Sequence, residues 1–76
     1  MILLKNIEKF NSLSEFLRFE KFIEDKLGAK ILTEIGVEDY YAGVNFKERW
    51  FLINDENKVW RLVYPDAPFQ GYWGQV

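Results

Sequence analysis

The chain has 76 residues, of which 49% are hydrophobic and 18% aromatic, with a net charge of −2 and neither cysteine nor histidine. That excludes disulfides and a cysteine or histidine zinc site, and it removes the side chains most used for proton transfer and nucleophilic attack near neutral pH. The charges split unevenly: residues 1–30 carry six basic and five acidic groups, residues 31–76 four basic and seven acidic. With no basic field to attract phosphates, the chain is not expected to bind nucleic acid.

One domain is expected over 1–76. At this length folding buries only about 60% of the surface an unfolded chain exposes, so the core must be dense. Seven Phe, four Tyr and three Trp supply it. The apolar run "MILL" is too short for a signal-peptide core, and nothing approaches the ~20 apolar residues of a membrane span. A soluble, cytoplasmic protein with no membrane partner is therefore expected.

In chain order, "MILLKNI" reads as a further strand over about 1–5. The spacing of Leu3, Ile7 and Phe10 also fits a short helix, and the strand is preferred. "SLSEFLRFEKFIEDKLG" predicts a helix over about 13–27. Ser12 and Glu15 have capping-box spacing, Leu13, Phe16, Leu17, Phe19, Ile23 and Leu27 form a broad apolar face, and Gly28 stands where a left-handed cap belongs.

From residue 29 the period changes to two. Strands are expected over about 29–35 and 38–46, the second with Tyr40, Ala42, Val44 and Phe46 on its packed side. "RWFLINDENKVWRLVY" reads as a hairpin of strands over about 49–54 and 58–64. Asn54 opens its turn, and Asn57 takes the positive φ of a bulged exit. Pro65 then ends the ladder. The expected fold class is α+β, one N-terminal helix packed on a mostly antiparallel sheet of three or four strands.

Both faces of the hairpin carry large apolar groups, whereas one helix layer covers one face. The N-terminal segment, the tail "PDAPFQGYWGQV" or a second molecule must cover the other. The aromatic tail folded over the sheet is the preferred cover, stiffened by Pro65 and Pro68 and hinged at Gly71 and Gly74.

No phosphate-binding glycine loop is present. Glu34, Glu38, Asp39, Asp55, Glu56 and Asp66 read as solvated surface or turn residues, and no cofactor or metal is expected. The function expected is that of a non-enzymatic protein-binding module: an inhibitor, an immunity-type protein or a regulatory protein. The alternative is a small-ligand or carbohydrate binder using exposed aromatics. The partner expected is another protein, or a second copy of the chain in a homodimer. Candidate binding residues are Tyr41, Trp60, Phe69, Tyr72 and Trp73, because Tyr and Trp offer large contact area with few rotors.

Overall fold

A computed structural model describes residues 5–76. Helix α1 spans Leu13–Gly28, followed by strands β1 (Leu32–Ile35), β2 (Glu48–Ile53), β3 (Lys58–Val63) and β4 (Tyr72–Gln75). The four strands form one antiparallel sheet in the order β1-β2-β3-β4. The fold is α+β, as the change of period at residue 29 predicts. Among the described residues no helix is long and apolar enough to cross a membrane.

Both ends of α1 are closed by local hydrogen bonds. The Ser12 hydroxyl accepts from the Glu15 N–H at 3.1 Å, as the capping-box spacing requires. The reciprocal bond differs: the Glu15 carboxylate takes the N–H of Asn11. At the C-terminus Gly28 is still helical, and the left-handed residue is Lys30, with φ 62°. Lys30 N–H donates to the Leu27 carbonyl and Ile31 N–H to the Lys26 carbonyl, both at 3.0 Å. These two bonds define a Schellman closure, with a lysine where glycine is favoured.

Three of the predicted elements change. The strand expected over 29–35 shortens to β1, because residues 29–31 complete the helix closure. The strand expected over 38–46 is absent: Gly43 takes φ +96°, which no extended strand accommodates, and residues 36–47 form an irregular loop. The tail does not lie over the sheet. Its 72–75 segment joins the sheet as β4, in register with β3 through Leu62↔Trp73 and Val63↔Tyr72. The strand expected over 1–5 falls on residues 1–4, outside the described residues, and on Lys5, which is in no strand. Ile7 does pair with Trp73, through reciprocal backbone bonds of 2.8 and 2.9 Å.

The hairpin follows its sequence closely. Ile53 faces Lys58, the turn occupies 54–57, and Asn57 takes φ 53°. The turn is opened by the Ile53 carbonyl, which accepts from Glu56 and Asn57. Asn54 instead ties the hairpin to β1: it donates to the Lys30 carbonyl and accepts from the Thr33 hydroxyl.

The core lies between α1 and one sheet face. Phe16 and Ile23 of α1 meet Leu32, Phe51, Ile53, Trp60, Leu62 and Trp73, with Phe10 closing one end. At the rim, Arg49 is shared by three carboxylates. It bonds Glu34 in two-pronged fashion at 2.7 and 2.9 Å and Glu24 at 2.7 Å, and Glu20 lies 3.7 Å away. The guanidinium holds the Glu34 carboxyl below its ordinary range. Tyr64 donates its hydroxyl to Glu20 beside this cluster. Burial, reinforced by Glu20, pushes its phenol up to about 12.

Two measurements follow from these local arrangements. Lys30→Gly relieves the left-handed strain, partly offset by a freer unfolded chain, and is expected to raise urea-unfolding stability by about 0.5–1 kcal/mol. In the unfolded chain Tyr64 ionises near its ordinary value of 10.0, before the folded protein does. The unfolded state therefore sheds its proton first, and the Tyr64 contribution, present below pH 10, is lost as pH rises towards 12. Denaturation midpoints across that window are expected to fall less steeply for Tyr64→Phe than for the wild type.

Candidate functional site

The sheet face turned away from α1 is covered by the 36–47 loop. Register places Ile35, Trp50, Arg61 and Gly74 in one row across this face, with Glu48, Val63 and Tyr72 in the next. Glu48 is buried, and its carboxylate holds the loop. It accepts the backbone N–H of Tyr41 at 2.9 Å and the indole N–H of Trp50, and its second oxygen lies 3.3 Å from Arg61 Nε. Arg61 Nε is itself buried and lies outside hydrogen-bonding geometry, so the contact with Glu48 is an ion pair by proximity. The guanidinium carbon sits 5.3 Å from the Trp50 ring centre and 5.5 Å from that of Tyr41, a cation between two aromatic rings.

Tyr41 also stacks flat on Tyr72, with centroids 4.4 Å apart and planes 1° from parallel. Gly74 makes this stack possible, because a Cβ there would collide with the Tyr72 ring, which lies along β4 over the glycine. Burial, with the charge of Glu8 adding to it, holds the Tyr72 phenol above its ordinary value. A second anchor is the edge-on contact of Phe46 with Phe69, at 5.1 Å, which ties the loop to residues 65–71. A backbone bond finishes the attachment, Tyr64 N–H donating to the Lys47 carbonyl at 2.8 Å, while Phe46 N–H closes a turn within the loop on the Gly43 carbonyl at 3.1 Å.

The loop is thus pinned from below while presenting apolar groups above. Val44 is 79% exposed, Tyr41 52% and Tyr40 39%, beside the exposed carboxylates Glu38 and Asp39.

The five candidate residues separate into three places. Tyr41 and Tyr72 meet in this site. Phe69 supports it from the 65–71 loop. Trp60 and Trp73 lie on the opposite face, stacked at 5.4 Å inside the core. Sequence reasoning overlooked Glu48 and Arg61, the buried pair under the loop. Their signal was an alternation in which charged residues fell on the same strand faces as Trp50 and Val63.

Comparisons with protein-family models, curated proteins and solved structures find no match to this chain.

Removing one member of a buried ion pair leaves the other charge unsatisfied. Glu48→Gln is therefore expected to cost about 2–4 kcal/mol in urea unfolding. The double variant Glu48→Gln/Arg61→Met is expected to recover part of that loss, which would not occur if the pair contributed only packing.

Proposed function

We propose that this chain is a non-enzymatic protein-binding module, and that its partner docks on Tyr40, Tyr41 and Val44 of the 36–47 loop. The observation carrying this reading is the pairing of exposed apolar groups with a rigidly seated backbone. Aromatic side chains presented by an ordered loop lose little entropy on association, and central Tyr residues often dominate interface energy. The exposed groups belong to a loop rather than to a strand, where binding residues concentrate.

The non-enzymatic part rests on the sequence, which has neither histidine nor cysteine. The partner is another protein, and the chain acts on it as an inhibitor or regulatory subunit. A cytoplasmic site of action goes with this reading, since a cysteine-free chain suits a reducing compartment. Pairing of two copies through the same patch is the competing arrangement, and light scattering at two concentrations separates it from a monomer.

The decisive comparison uses immobilised wild-type protein and the exposed double variant Tyr40→Ser/Val44→Ser in host extract. A protein retained by the wild type is expected to lose at least ~10-fold in affinity for the variant, equivalent to about 1.4 kcal/mol, while the variant's Tm is unchanged. Equal retention by both proteins would assign binding to another surface.

A further inference from the structure

A second surface is left open along α1 itself. Leu13 and Leu17 fall on the apolar face read from sequence, yet they are 65% and 50% exposed. The helix turns Phe16 and Ile23 into the core and leaves these two leucines side by side, one turn apart, on its flank. Leu13 also walls a cavity of about 390 Å³ formed with Phe10, Pro65, Pro68, Phe69 and Asp66. That volume lies in the range of ligand sites, and the rings and pyrrolidines give it an apolar lining.

The charges around this groove select what fits it. Asp66 has both its backbone groups bonded to Phe69 at 3.0 Å, which fixes its position on the 66–69 turn. Its carboxylate has no hydrogen-bond or ion-pair partner among the described residues. Further along the stripe that begins at Leu13 and Leu17 stand Glu20 and Glu24, at helical spacings of seven and eleven. These two and Glu34 share the single guanidinium of Arg49. Another nearby cation, Lys47, lies over the Tyr64 ring at 4.7 Å. Among the described residues Asp66 is therefore the one carboxylate that lines the cavity; Glu20 and Glu24, further along the helix flank, are held by Arg49, and Lys21 beside them is paired with Asp25.

We infer that this groove binds a peptide segment of a partner protein that carries an apolar side chain flanked by lysine or arginine. The apolar side chain enters the cavity between Phe10 and Phe69, where it also covers Leu13. The flanking cations meet Asp66 on one side and the Glu20–Glu24 stripe on the other. This surface shares Phe69 with the support of the 36–47 loop but uses none of Tyr40, Tyr41 and Val44, and it does not depend on that loop binding anything.

The test is an amide chemical-shift titration of the full chain with capped tripeptides. The probe is leucine between two arginines, and the controls are leucine between two glutamates and serine between two arginines. The first is expected to shift amides of residues 10–13 and 66–70 saturably, at about millimolar Kd and more weakly in high salt. Asp66→Asn and Leu13→Ser alter exposed side chains, so both should keep the wild-type Tm while weakening that binding roughly 3–10-fold. The inference is overturned if the glutamate peptide binds equally, if no peptide shifts those amides up to ~10 mM, or if shifts are confined to 36–47. Concentration-dependent shifts at the same amides without peptide would show a second copy in the groove and overturn it as well.

Discussion

The structure depends on the burial of Trp73. Its ring packs edge-on to Phe19 at 5.0 Å, stacks on Trp60 at 5.4 Å and lies 6.2 Å from Phe51, so it touches the helix and both central strands. Its backbone links β3 on one side to Ile7 on the other. Every one of these contacts joins segments distant in sequence, and their loop-closure entropy must be overcome before any of them forms. The indole N–H groups of Trp60 and Trp73 have no partner among the described residues. Each such orphan costs about 1–3 kcal/mol, and the core tolerates this because burying two large rings together outweighs it. Gly71 serves the same end. Its φ of +83° and the approach of Phe10 Cδ2, 3.0 Å from where a Cβ would stand, allow Phe10 to seal the core beside β4.

The other sheet face solves its burial problem with different chemistry. No helix among the described residues covers it, and a loop cannot form a dry layer because its own backbone groups need partners. Glu48 and Arg61 meet that need, the carboxylate taking a loop N–H and the guanidinium filling the space between two rings. Such a seat fixes geometry more than it adds stability, since desolvating the charges offsets much of their attraction. The two layers therefore divide the labour. The Trp73 side carries most of the buried apolar core, and the Glu48–Arg61 side fixes where the loop sits.

The elements legible in the sequence were those whose signals are local. The 13–28 helix announces itself through Ser12, Glu15 and a 3.6-residue period, and the 49–64 hairpin through two β-prone runs around "NDENK". The 38–46 segment misled because its alternation is accidental: Val44, counted on the packed side, is the most exposed of the described large apolar residues, and Tyr41, counted on the other, is the ring that stacks. Its seat depends on Glu48 and Arg61, whose partnership is set by strand register and leaves no spacing to read. The tail misled for the opposite reason. Its prolines lie before Gly71, so the Tyr72–Gln75 stretch was free to pair, but Gly71 before it and Gly74 within it masked its β character.

The same contrast picks out the two surfaces proposed for binding. Where pattern and fold agree, as at Phe16, Ile23, Phe51 and Leu62, the side chains serve the core and have no surface left to offer. Where they disagree, apolar groups that the period assigns to the interior stand in solvent: Val44 on the loop, and Leu13 and Leu17 on the helix flank. Isolated exposed leucines are ordinary. These occur instead beside built features, a pinned loop in one case and, in the other, a cavity lined by the carboxylate of Asp66, unpaired among the described residues. A fold with so small a core has few apolar side chains to spare, so their repeated exposure at organised sites is where function and packing pull the sequence in different directions.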